Sequence, residues 1–199
     1  MFTDWNSAYE RNEAHWDRGQ PTPVLDLVWK RHPGLLKGRV LVPGCGLGHD
    51  ARWLAAHECQ VVGADIAPLA IDRAKALDTE NRIDFRLVDL FDLPGEMRGA
   101  FDMVWEHTCL CALNPTLRQQ YLAGIKSSLK PGGEVAGVFY LTPDLDPGET
   151  GPPFGITIPE LRALWEGAGF EVVSHWTPER SYEGREGREH FMWLRQPNK

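Results

Sequence analysis

The chain has 199 residues, 42% hydrophobic and 25% charged, which is enough to fill one core and too few for two. A formal net charge of -7 excludes a protein whose main partner is a nucleic-acid backbone, since that needs clustered Lys and Arg, and the one basic cluster, Arg180 to Arg188, is diluted by glutamates. Four cysteines without a CxxC pair, a start lacking an apolar signal core, and no apolar run near the roughly 20 residues of a membrane span predict a cytoplasmic chain with reduced thiols and no membrane partner.

The first 38 residues differ from the rest, with Trp5, Trp16 and Trp29 falling in "DWNSAYERNEAHWDRGQPTPVLDLVWKRHPG". Spacing predicts a helix over Pro23 to Arg31 with Val24, Leu25, Val28 and Trp29 toward the core, while the stretch before it suits a helix or a cap. From Arg39 onward, β-branched runs alternate with amphipathic stretches. Strands are predicted at "RVLVP", "QVVGAD", "IDFRLVD", "FDMVWE", "GEVAGVFYL", "FEVVSHW" and "EHFMWLRQ", with helices starting after His49 and at Pro68, Pro115 and Pro159. That order predicts a doubly wound α/β fold on a mostly parallel sheet, in one domain spanning 1–199. "TIPE", Thr157 to Glu160, has capping-box spacing with Pro in the first turn. The Pro115 helix has Asn114 as cap, Leu117, Tyr121, Leu122, Ile125 and Leu129 as its buried stripe, and Pro131-Gly132-Gly133 as its stop.

The chemistry gathers at strand ends. In "RVLVPGCGLGHD", Gly44, Gly46 and Gly48 let the backbone approach a ligand where a Cβ would collide, and the following helix N-terminus offers free N–H groups. A dinucleotide site needs G-x-G-x-x-G, whose third glycine falls where His49 stands, so G-x-G-x-G disfavours a pyrophosphate. A tight strand-to-helix turn explains the triplet without any ligand. Asp65, ending the second strand, can accept from both hydroxyls of a ribose, and Asp89, ending the third, from an exocyclic adenine amine. Either acid alone also reads as a solvated helix cap; together they outline an adenosine site.

On these residues the chain resembles the class I S-adenosylmethionine-dependent methyltransferases. The resemblance covers nearly the whole chain and implies a Rossmann-like seven-stranded sheet with one reversed edge strand, formed by the last two strands. It also implies that Gly44 and Gly46 border the amino-acid part of S-adenosyl-L-methionine, Asp65 the ribose, and Asp89 with Leu90 and Phe91 the adenine, with Ile66 also binding the cofactor. "LVPGCGLGHD", "WNSAY...HWDRGQPTP", "FDMVWEHTCLCAL", "GPPFGIT" and "EGREGREHF" further resemble the thiopurine methyltransferase superfamily and its thiol and halide branch. That likeness implies that Trp5, Tyr9 and Trp16, within residues 1–38, fold over the cofactor, and that Glu106 and His107 lie beside its methionine end. His107 stands where some relatives carry Arg or Tyr.

The implied activity is methyl transfer to a thiol, sulfide or halide, with an oxygen or nitrogen methyltransferase on another small metabolite as the alternative and His107 as its base. Soft nucleophiles make a dedicated base optional. Tyr140 is the candidate catalytic residue, as a hydrogen-bond donor to an incoming anion, and Phe154 is a second pocket candidate. Both also read as packing residues. Arg180, Arg185 and Arg188 suit either an anionic substrate or a solvated turn, while Cys109 and Cys111 read as small packing residues beside the cofactor. The seven histidines show no ligand spacing, so no metal is expected. A dinucleotide oxidoreductase and a non-catalytic cofactor-binding module are the rival classes, and the sequence leaves monomer and homodimer equally open.

Overall fold

The computed structural model describes residues 4–198 apart from 144, 146, 147 and 149. Seven strands, β1 (Arg39–Pro43), β2 (Gln60–Asp65), β3 (Asp84–Leu87), β4 (Phe101–His107), β5 (Leu129–Tyr140), β6 (Glu171–Trp176) and β7 (Glu189–Arg195), join in the order β3-β2-β1-β4-β5-β7-β6. The pairs from β3 through β5 are parallel, and β7 is antiparallel to both β5 and β6. The reversal thus falls in the last two strands as expected, with β7 inserted between β5 and the edge strand β6. The strand order changes direction between β1 and β4, and open sheets of this kind bind ligands beside the carboxyl ends of strands at such a switch point.

The helices are α1 (Trp5–Glu10), α2 (Val24–Arg31), α3 (His49–Ala56), α4 (Pro68–Leu77), α5 (Cys109–Ala112), α6 (Arg118–Ser128) and α7 (Ile158–Gly167). Strand alternation divides them between the faces of the sheet. Val40 and Val42 point into a core shared with α2, α3 and α4, through Val24, Leu54 and Ile71, while Leu41 points into the other, shared with α6 and α7 through Leu122, Ile125, Leu161 and Trp165. The Thr157–Glu160 capping box is present at α7, and the Asn114 side chain accepts from the Thr116 N–H.

Several expectations shift. A 3-10 turn occupies Pro115–Leu117, and α6 begins at Arg118. Pro131-Gly132-Gly133 is not the helix stop: α6 ends at Ser128, Leu129 already pairs with Phe101, and the proline-glycine segment is an irregularity inside β5. Trp29 does not face the core. It is 41% exposed, on the flank of the face that Val24, Leu25 and Val28 bury, and its ring lies edge-on to His57 of the α3 C-cap at 4.9 Å. β3 stops at Leu87, so Asp89 lies just beyond the strand that it was expected to end, whereas β4 extends to His107.

Candidate active site

A cavity of about 430 Å³ opens at the carboxyl ends of the parallel strands, within the size range of small-molecule sites. Its floor is the loop after β1. Gly44, Gly46 and Gly48 all have left-handed backbone, with φ of 57°, 52° and 75°. A Cβ on Gly44 would sit 2.8 Å from the Cys109 Sγ, and one on Gly46 would sit 3.0 Å from the Tyr9 hydroxyl. Gly48 has a different reason to be glycine. Its Cβ would run into the Phe85 ring at 2.5 Å, and it is a buried helix N-cap that does not line the cavity. The first two glycines therefore serve the cavity and the third serves packing.

Asp65 stands at the end of β2 with 8% of its surface exposed. Its Oδ2 accepts the Gly46 N–H and its Oδ1 the Ala67 N–H, each at 2.9 Å. A carboxylate has about four acceptor positions, so these two bonds fix its orientation and leave capacity for a diol. Burial raises its pKa above the usual carboxylate value despite the backbone hydrogen bonds, so further donors from a ligand would favour the ionised form. Ile66, beside it, is 45% exposed on the cavity wall. Across the cavity lie Asp89, Leu90 and Phe91, where the Asp89 Oδ1 accepts the Phe91 N–H at 2.9 Å and sets the turn.

The amino-terminal segment forms the roof. Trp16 packs edge-on against Trp5 at 5.2 Å and Tyr9 at 5.6 Å, and its indole N–H donates to the Tyr9 hydroxyl at 3.3 Å. Together with Ala67 and Ala70 these rings make a small core of their own, and the Asn6 side chain accepts the Leu69 N–H at 2.9 Å. Tyr9 is 3% exposed, and burial holds its phenol well above the ordinary value, in the neutral form.

At the inner end, β4 presents His107 and β5 presents Tyr140, and the segment between β6 and β7 adds Tyr182 and Arg185. The Arg185 guanidinium lies 4.7 Å from the Tyr140 ring centroid and 5.5 Å from that of Tyr182, and Nη1 is 3.3 Å from the buried Glu189. Tyr182 donates its hydroxyl proton to the Gln20 carbonyl at 2.7 Å and stacks on His107 with 5.8 Å between rings. The His107 Nδ1 is 2.8 Å from the Asp50 Oδ2. Asp50 is the residue that sequence reasoning missed. It sits in the first turn of α3, 57 positions from its partner, and nothing local in "GLGHD" signals the pairing.

Of the residues expected at this site, Trp5, Tyr9, Trp16, Gly44, Gly46 and Asp65 line the cavity, as do Ile66, Asp89, Leu90, Phe91, His107 and Tyr140. Glu106 does not. Strand alternation turns it to the opposite face from His107, where its Oε1 accepts the Leu110 N–H at 2.7 Å and holds the start of α5. Phe154 is also absent from the wall, which Pro152 and Pro153 form instead; its N–H donates to the Cys111 carbonyl at 2.6 Å. Of Arg180, Arg185 and Arg188, only Arg185 lines the cavity, and Arg18 joins it from the amino-terminal segment. Cys109 and Cys111 line it as buried thiols, Cys111 pushed up to about 12 by burial, which suits packing rather than nucleophilic attack. Among the described residues no group of three His, Cys, Asp or Glu side chains is placed to hold a metal, and no helix is long and apolar enough to cross a membrane.

Residues 2–188 match the thiopurine S-methyltransferase family. The chain belongs to it. It is 31% identical over 189 residues to probable thiol methyltransferase 2 of Arabidopsis thaliana, covering 93% of this chain and 81% of that one. It is 32% identical over 191 residues to thiocyanate methyltransferase 1 of Brassica oleracea, with the same coverage, and 26% identical over 185 residues to a thiopurine S-methyltransferase of Vibrio parahaemolyticus, covering 85% and 82%. Among solved structures, the fold matches the 1,6-didemethyltoxoflavin-N1-methyltransferase of Burkholderia thailandensis, determined with S-adenosylhomocysteine, at a TM-score of 0.72, 23% identity and coverage of 96% and 85%. Membership in the thiopurine S-methyltransferase family makes the protein an S-adenosylmethionine-dependent methyltransferase. The cavity fits that cofactor. It offers a glycine cradle that a Cβ would fill, a buried acid with spare acceptor positions, and aromatic and apolar walls.

Proposed function

We propose that this methyltransferase acts on a small soft nucleophile: a thiol, sulfide or halide. The observation that carries the reading is the inner wall of the cavity. There the Tyr140 and Tyr182 rings flank one guanidinium, Arg185, whose charge is already met by Glu189, and Cys111 and Leu113 add to the same cavity's lining. Such a wall accommodates a polarizable nucleophile with partial negative charge better than a large polar metabolite. The names of the relatives, which include thiol and thiocyanate methyltransferases, point the same way.

In this reading Gly44 and Gly46 border the amino-acid part of the cofactor, Asp65 and Ile66 the ribose, and Asp89, Leu90 and Phe91 the adenine. Trp5, Tyr9 and Trp16 cover it and exclude water, and residues 1–199 act as one methyltransferase unit. When bound, S-adenosylmethionine supplies a methyl group activated by its positive sulfonium sulfur. The chain's part is to align an acceptor with that methyl and keep the site dry. Tyr140 donates a hydrogen bond to the incoming nucleophile. The unpaired cysteines support a cytoplasmic location, and the net charge of -7 supports a small-molecule partner rather than a nucleic acid.

The test is incubation with isotopically labelled cofactor and a panel of methanethiol, hydrosulfide, iodide, a thiopurine and a catechol. Turnover of at least one sulfur or halide acceptor is expected. Methylation of the catechol alone would replace this reading with the oxygen-acceptor alternative.

A further inference from the structure

The inner end of the cavity holds a nitrogen that no protein group uses. The His107 Nδ1 is 2.8 Å from the Asp50 Oδ2, while its Nε2 is buried without a partner. Asp50 is itself fixed. The Trp105 indole N–H donates to Oδ2 and the Thr22 N–H to Oδ1, both at 2.8 Å, and the position in the first turn of α3 favours a negative charge. An ionised carboxylate only accepts, so the proton of a neutral His107 lies on Nδ1, which leaves the Nε2 lone pair unmatched on a residue lining the cavity. Tyr182 stacks on the ring and holds its plane. Nothing in packing explains a buried acceptor without a donor, whereas a ligand carrying a proton would supply one.

We propose that His107, positioned by Asp50, takes the proton of the methyl acceptor, and that the preferred acceptor is therefore a neutral thiol rather than a ready-made anion such as a halide or thiocyanate. The inference rests on the soft-nucleophile reading above and narrows it. In the step, the S–H bond of the thiol breaks and its proton passes to Nε2. The sulfur electron pair forms the bond to the methyl carbon, and the electrons of the old carbon–sulfonium bond stay on the departing homocysteine sulfur. The products are a thioether, S-adenosylhomocysteine and an imidazolium whose charge Asp50 meets; solvent later takes the proton. A free thiol near its ordinary pKa of about 8.5 is only a few per cent ionised at neutral pH, so a placed base has work to do on a thiol and none on a halide.

The charged surroundings agree. Burial opposes a charge on His107, but the facing Asp50 carboxylate outweighs it, with a smaller contribution from Glu189 and opposition from Arg185, so the net shift is upward. Asp50 is held below its usual value, because the His107 charge and the hydrogen bonds it accepts outweigh burial. Tyr182, the other titratable group against the ring, is held well above its ordinary value by burial and stays neutral. His107 is thus a stronger base than free imidazole.

Two measurements test the assignment. The first is nitrogen-15 NMR of the free protein, with the His107 ring signals assigned by their loss in His107→Gln. The Nδ1–H form with an unprotonated Nε2 is expected at pH 8, and the Nε2–H form would overturn the proposal. The second is kcat/KM for methanethiol and for iodide, on the wild type and His107→Gln, from pH 5.5 to 9.5. Reading the ratio of the two acceptors removes any shared loss of cofactor binding. At pH 7 the thiol-to-iodide ratio should fall by about a hundredfold or more in the variant, the usual scale of general-base catalysis. The deficit should shrink toward pH 9.5, where solvent supplies the thiolate. A ratio that stays within threefold of the wild type at every pH would sink the dyad. Should the wild type methylate no sulfur or halide acceptor of the panel, it is the soft-nucleophile reading that fails, and the tautomer still judges the dyad by itself.

Discussion

Replacing Glu106 with Gln should make the protein more resistant to unfolding in mild alkali while changing little in acid. Glu106 is fully buried, its Oε1 accepts the Leu110 N–H, and its Oε2 has no partner. Burial outweighs the backbone hydrogen bonds and the nearby His107 charge and holds the carboxyl at about 7, against an ordinary 4.5. The native state therefore keeps a proton that the unfolded chain releases. Its stability contribution is complete below pH 4.5 and is lost as pH rises through 7. A shift of that size corresponds to roughly 3 kcal/mol. Glutamine retains the acceptor for Leu110 and cannot ionise. Urea unfolding of both proteins at intervals from pH 5 to 9 isolates the effect, since groups titrating in both cancel to first order in the difference. The wild type should fall by about 2–3 kcal/mol relative to the variant between pH 5 and 8, and run parallel to it above. A constant offset across the whole range would refute the reasoning, whatever the size of the offset.

Two perturbations address the half of the site proposed for the cofactor. Asp65→Ala removes the carboxylate that orders Gly46 and faces the proposed ribose position, and calorimetric titration with S-adenosylhomocysteine should show affinity weakened more than tenfold; an unchanged Kd would contradict the assignment. Gly46→Ala places a methyl 3.0 Å from the Tyr9 hydroxyl on a left-handed backbone, so the same titration should show a severalfold loss, recovered in part by adding Tyr9→Phe. If the second change recovers nothing, backbone strain rather than the roof contact sets the loss.

What could be read in the sequence follows from how local each constraint is. Strand alternation, the caps at Asn114 and Thr157 and the glycine spacing act over a few residues, and the sheet, α7 and the loop after β1 appear where those signals fall. The misses involve longer competition. Trp29 has the spacing of a core residue, yet Val24, Leu25 and Val28 fill the buried face and the flank of α3 offers the indole an edge contact instead. Pro131-Gly132-Gly133 reads as a stop, but Leu129 gains a buried position by pairing with Phe101, so the strand begins before the proline. The family resemblance gives Glu106 and His107 one role, although adjacent strand residues face opposite ways.

The same distinction separates the two halves of the cavity. The half proposed for the cofactor is shaped mainly by local features: left-handed glycines, an acid ending β2, another just past β3 and a helix N-terminus, all of which leave short motifs. The acceptor half is shaped by side chains that meet only in the folded sheet, His107 from β4, Tyr140 from β5, Tyr182 and Arg185 from the turn before β7, and Asp50 from α3. Asp50 shows how the halves are joined. The helix whose start follows the glycine turn also carries the carboxylate that fixes the His107 tautomer, and its Oδ1 holds the Thr22 N–H, at the root of the segment that roofs the cavity. A change in the roof therefore bears on the base through one carboxylate. Loss of the Thr22 contact would leave Asp50 held through Oδ2 alone, by Trp105 and His107, and so loosen the carboxylate that orients the ring before any cavity-lining residue had been altered.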